Sequence, residues 1–171
     1  MKPILTGLLA VSSLAGMAAA ASSPVENSKL FSQSTWQISK EFTLAVEAMP
    51  GESYDFKPNP EEMSFGELTI HIAKSNSDAF EDVAGTEALA QPSGTHKKTA
   101  IKFLTDSFDK CAKDFAAMPP AQFNKMLDIG GRTAGHGVEV LCWAFTHTTH
   151  HRGQAEVYLR VKNIKPPRCV F

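Results

Sequence analysis

Met63-Ser64-Phe65-Gly66-Glu67-Leu68-Thr69-Ile70-His71-Ile72 is the stretch from which the fold is read. Ser64 and Glu67 stand at the spacing at which a hydroxyl and a carboxylate cap each other's backbone amides at a helix start, and Met63 and Leu68 flank them as an apolar clasp. A helix therefore begins here. Its inner stripe runs Leu68, His71, Ile72, Ser75, Ala79 and Val83, so an imidazole stands where the helical phase asks for an apolar side chain.

Working outward, the apolar positions Phe31, Ile38, Phe42, Ala45 and Met49 recur at helical spacing over Ser28 to Met49, and Pro50-Gly51 ends them. The prolines of Pro50 to Pro60 make that segment an extended connection. Gly85 and Gln91-Pro92-Ser93-Gly94 mark a second long loop. A third helix carries Ile101, Leu104, Phe108, Cys111, Phe115 and Met118 before Pro119-Pro120, a stripe that predicts a purely structural role. Ala121 to Gly137, with Gly130, Gly131 and Gly135, reads as loop with a short extended piece around Met126 to Ile129. A fourth helix is predicted from Gly137 to Val161, ahead of Pro166-Pro167. The expectation is all-α: a four-helix bundle with long connections, whose order need not be up-down-up-down.

Lys2, the apolar run Ile4 to Met17 and the small residues Ala18 to Ala21 read as a signal peptide over residues 1–21, which predicts a periplasmic or secreted protein. The run falls short of the roughly 20 apolar residues that span a bilayer, which argues against a stable membrane anchor. Residues 22–171 then form one domain. With 17 basic against 18 acidic side chains and no Lys/Arg block, the chain offers no surface for nucleic acid. Three cysteines cannot all pair within one chain. Cys111 and Cys142 lie in apolar stretches that suit packing, and Cys169 is open.

The chemistry concentrates in Thr146-His147-Thr148-Thr149-His150-His151-Arg152-Gly153-Gln154. Residues four apart on a helix differ by only about 40° in direction, so His147 and His151 can offer both imidazoles to one ion, whereas His150 points about 100° away from His151. A third ligand must come from elsewhere. His96 and His136 fall in predicted loops, which leaves the core-facing His71. Three histidines leave coordination positions open, as reactive zinc sites do and closed structural sites do not. Hydrogen-bonded core histidines are the plainer reading of any one of them alone. Together with Ala144, Gln154 and Tyr158, however, His147 and His151 lie on the side of the helix that must pack inward, and unpartnered imidazoles there are costly.

At these residues the sequence resembles the DinB-like (DinB/YfiT-like) metalloproteins. The marks are Tyr54-Asp55-Phe56-Lys57-Pro58, Ser64-Phe65-Gly66-Glu67-Leu68 leading to His71, His147-x3-His151-Arg152-Gly153-Gln154 with Tyr158, and Pro166-Pro167. The resemblance implies a four-helix bundle in which one histidine of the second helix and the His-x3-His pair of the last bind a divalent transition metal, zinc or nickel, and it allows a homodimer. Some relatives look like thiol-dependent S-transferases or isomerases. Such thiols are chiefly cytosolic, so an exported member needs another nucleophile, most simply water activated by the metal.

The functional expectation is an exported metal-dependent hydrolase or transferase acting on a small molecule. The alternative is a non-catalytic metal- or ligand-binding module whose ion stabilises the bundle. Thr148 and Thr149 stand where a His-Glu-x-x-His protease carries its base, which disfavours proteolysis. Glu139 and Glu156 are not evident bases. Gln154 and Tyr158 could reach a ligand from the metal side or support the metal ligands. Arg152 suits either an anionic substrate or a solvent-facing ion pair.

Overall fold

The computed structural model describes residues 24–168. The expected signal peptide and Cys169 lie outside them, as does the side chain of Phe31. The elements, in order, are α1 (Pro24–Ala48), α2 (Phe65–Ala84), α3 (Lys97–Ala117), the short α4 (Pro120–Asn124), β1 (Met126–Ile129), β2 (Arg132–His136) and α5 (Gly137–Val161). The all-α bundle expected from the stripes is present, with three refinements. The first helix is described from Pro24, ahead of Ser28, where its apolar pattern starts. Pro120 opens an extra helical turn, its fixed φ and missing N–H suiting a first helical position. The glycine-rich segment closes into an antiparallel hairpin. Its extended piece is β1, and Gly130 and Gly131, at φ 61° and 76°, supply the two left-handed residues of its tight turn.

The long helices form a closed ring, α2 packing on α3 and α5, and α1 packing on α5 and α3. Thus α1 faces α2 across the bundle, which is why the connection between them is long. Tyr54 of that connection is buried and donates its hydroxyl to the Val46 carbonyl at 2.7 Å. Lys97 ties the first turn of α3 to the last turn of α1 by donating to the carbonyls of Glu47 and Met49 at 2.7 and 2.8 Å. Those carbonyls have no partner within their own helix, so the ammonium both caps α1 and fixes where α3 starts. The Ser64/Glu67 capping box forms, with the Ser64 amide donating to Glu67 at 2.6 Å and the Glu67 amide donating to Ser64 at 3.2 Å. Gly85 ends α2 in the left-handed conformation at φ 72°.

The apolar interior divides in two along the bundle. One core gathers Phe42, Val46, Met49, Tyr54, Phe65, Leu68, Ile72, Leu104 and Leu159, and the other Phe80, Val83, Cys111, Met118, Leu127, Val140 and Leu141. Between them in sequence on α2 and α5 lie the buried polar residues Asn76, Ser77, Thr148, His151 and Arg152. Asn76 and Ser77 are the buried residues of that turn while Ser75 is only partly buried, which shifts the expected stripe. Cys111 is buried as expected, but Cys142 is exposed: it follows the inward Leu141 on α5 and points about 100° away from it. None of the described helices is long and apolar enough to cross a membrane.

Gly66 is where the loop before α3 meets α2. A Cβ there would lie 2.1 Å from the Thr95 carbonyl oxygen, a backbone atom that cannot step aside alone. Gly66→Ala is therefore expected to cost about 1–3 kcal/mol, read as a lowered Tm, whereas Gly153→Ala, whose Cβ meets nothing within 4 Å, should raise or preserve it.

Candidate metal centre

The capping box fixes where α2 starts and hence the direction of His71, seven residues into the helix. His147 and His151 come from the middle of α5, one turn apart. The three rings meet through their Nε2 atoms: His71 to His147 at 3.2 Å and His151 to His147 at 3.1 Å. One ligating nitrogen from each lies within 4.8 Å of the other two, the group expected from the sequence. His150 is exposed and stands edge-on to His151 outside that group. His96 and His136 are the residues immediately ahead of α3 and α5.

The hydrogen bonds decide what these nitrogens present to one another. His151 Nδ1 lies 2.6 Å from Gln154 Oε1, which can only accept, so Nδ1 carries the proton and Nε2 is left as a lone pair. His147 Nδ1 is buried without a hydrogen-bond partner. Its ring is instead held by Trp143, one turn earlier, which stacks on it at 4.7 Å between centroids and 21° between planes. Burial pushes the His147 imidazole down to about 4 from its ordinary 6.5, with the charges of His151, His71 and His150 adding to the shift. Burial also lowers His71 and His151, the latter against the opposing effect of Gln154. Near neutral pH the three rings are thus neutral, and the Nε2 lone pair of His151 faces His147 Nε2 at 3.1 Å, where it can accept a hydrogen bond or meet a cation.

A divalent ion fits. Two imidazole nitrogens, each about 2.1 Å from one tetrahedral ion, stand roughly 3.4 Å apart, close to the separations observed. Gln154 then plays the part of the outer partner that fixes a ligand histidine's tautomer.

The remaining candidates lie elsewhere. Arg152 is corrected from the solvent-facing pair expected: it is buried, paired with Glu41 of α1 at 3.2 Å and with Glu156 one turn on. Tyr158 is buried too, and donates its hydroxyl to the Met63 carbonyl at 2.7 Å while packing against Phe65. Glu139 closes the N-terminus of α5, accepting from the His136 amide at 2.6 Å. Two residues escaped the sequence reading. Trp143 could have been found from its four-residue spacing to His147. Asn76, which accepts from the Thr148 hydroxyl at 3.1 Å, sits one position off the expected stripe.

A model of the DinB superfamily matches residues 37–155. Among solved structures, the fold is similar to that of a DinB-like protein from Bacillus cereus, with a TM-score of 0.70 and 20% identity over 84% of this chain and 97% of that one. A DinB-like protein from Bacillus subtilis is similar at a TM-score of 0.68 and 18% identity, over 83% of this chain and 96% of that one. No curated protein matches the chain in sequence.

The lowered imidazoles set a pH dependence. Because His147 binds its proton less readily folded than unfolded, its contribution to stability is complete above pH 6.5 and is lost as pH falls towards 4. The chelator-treated protein is expected to lose Tm across that window, and His147→Ala to lose less of it. Equal slopes in thermal melts of the two would contradict this account.

Proposed function

This chain belongs to the DinB superfamily, and on that premise we propose that it is an exported metal-dependent hydrolase or transferase acting on a small molecule, with its ion held by His71, His147 and His151. The observation that carries the reading is the convergence of three Nε2 atoms with no fourth side chain among the described residues completing the set. A bound divalent ion supplies Lewis-acid chemistry at such a site, polarising an acceptor oxygen and activating water. Zinc and nickel both suit imidazole ligands. Export rests on Lys2, the apolar run to Met17 and the alanines that follow.

The chain's own residues narrow the chemistry. Gln154 holds His151 in the tautomer whose Nε2 can ligate. Trp143 is about half exposed, so its ring both braces His147 and forms a wall that an incoming molecule meets. Thr149 donates to the Phe145 carbonyl and Thr148 divides its one proton between the Ala144 carbonyl and Asn76, which leaves no base between the two α5 ligands and disfavours peptide hydrolysis. The second reading, an ion that staples the bundle without turnover, is favoured by one observation: the three rings join α2 to α5 beside the buried polar residues between the two cores.

Protein purified without chelators is expected to carry about one transition-metal ion per chain, measured by elemental mass spectrometry. His71→Ala and His147→Ala should each abolish binding, while His150→Ala retains it. Trp143→Ala should weaken the affinity about tenfold and Trp143→Phe restore most of it, since a second aromatic ring can still stack. Metal-dependent hydrolysis or group transfer across a panel of activated esters, lactones and amides supports the enzyme. A bound ion that raises Tm with no turnover supports the staple. Absence of any ion, with no response of Tm to added zinc or nickel, overturns both.

A further inference from the structure

Between the helices lies a cavity of about 180 Å³ whose wall contains none of the three imidazoles. All four long helices contribute to its apolar side: Ile38, Phe80, Phe108, Phe115, Leu141 and Phe145. Thr35, Ser39, Asn76 and Thr148 interrupt this wall with polar groups. The Thr148 hydroxyl lies 3.1 Å from the Asn76 side-chain oxygen and 3.0 Å from the Ala144 carbonyl, so its one proton serves a single acceptor and it engages only one end of the Asn76 amide. The buried Cys111 thiol contacts the Asn76 backbone carbonyl at 3.6 Å and does not satisfy the amide. Thr35 Oγ1 is buried with no hydrogen-bond partner among the described residues.

We propose that this cavity binds a small uncharged aromatic alcohol, with phenol as its simplest form. Its ring lies against the aromatic wall, and its hydroxyl pairs with the Asn76 side-chain amide and with Thr35 Oγ1. Each alternative conflicts with an observation. No lysine, arginine, aspartate or glutamate lines the cavity, so a charged ligand would lose its hydration uncompensated. A pure hydrocarbon would leave Thr35 Oγ1 buried and unpaired, at about 1–3 kcal/mol, and offer nothing to the Asn76 amide. Water alone does poorly in a space so largely apolar, since each molecule needs two to four polar partners, whereas an apolar cavity of roughly 150 Å³ admits benzene. The site is independent of the metal reading, because its lining and the imidazole cluster share no residue.

The test is a titration of the purified protein with phenol and with toluene, followed by ligand-observed NMR, in the presence and absence of chelator. Phenol is expected to bind at least about tenfold more tightly than toluene, a ratio that corresponds to one net hydrogen bond. Asn76→Leu should erase that preference, Thr35→Val should reduce it, and Ala144→Leu should block both probes by filling the space. Circular dichroism of each variant establishes that it is folded, and Thr35→Val serves if Asn76→Leu is not. His147→Ala, or removal of metal, should leave phenol binding unchanged, so a failed metal reading does not carry this one down with it. Equal binding of phenol and toluene, binding of neither, or loss of phenol with the metal would each overturn the proposal.

Discussion

Polar side chains set into the middle of a helical bundle must find partners there, because each one left bare costs about 1–3 kcal/mol. This chain sets Asn76 and Ser77 on α2 and Thr148, His151 and Arg152 on α5 between two apolar cores, and buries Ser39 and Glu41 on α1 and Ser107 on α3 as well. Most are satisfied internally. Ser39 and Ser107 donate to carbonyls of their own helices, Thr148 reaches Asn76, and Arg152 is neutralised by Glu41 and Glu156. Among the described residues, two buried side-chain atoms remain unsatisfied: His147 Nδ1 at the imidazole trio and Thr35 Oγ1 at the cavity. A fold that satisfied every such group would hold its helices together and do nothing else. The residual deficits are where ligands gain affinity.

The fold was legible because punctuation and period agreed. Ser64 with Glu67, Pro50-Gly51, Gly85 and Pro119-Pro120 delimit the helices in the structure within a few residues of where the sequence places them. The hairpin was only half visible, since β2 runs through Gly135 and carries no alternation that would distinguish a strand from a loop. At the site, a spacing of four paired His147 with His151 and excluded His150, and the inward phase of α2 supplied His71. Arg152 misled for a physical reason: its partner Glu41 is on α1, more than a hundred positions away, and a long-range ion pair leaves no local trace. Cys142 misled because α5 is apolar on several sides at once, with Val138, Trp143, Val157 and Val161 all exposed.

The similar structures speak to the fold, at about one identical residue in five. Chemistry has to be argued from side chains. Gln154 and Trp143 are the two that say most about the trio: one fixes a proton on His151 and the other braces a ring whose Nδ1 has no hydrogen-bond partner. The two inward histidines of α5 are therefore held by different means, one polar and one through ring stacking.

The apolar residues exposed along α5 leave its rotation about its own axis weakly specified by hydrophobicity. Turning that helix by one residue, about 100°, would present His150 where His151 now stands. The contact between Arg152 and Glu41 opposes such a turn, because it would strand a buried guanidinium and a buried carboxylate. Replaced by well-packed apolar groups, such a pair is often neutral or better in free energy, so it adds little to the depth of the native well. Its effect is on the well's uniqueness: it keys the helix like a notch on a shaft, and histidines otherwise alike acquire separate identities from it.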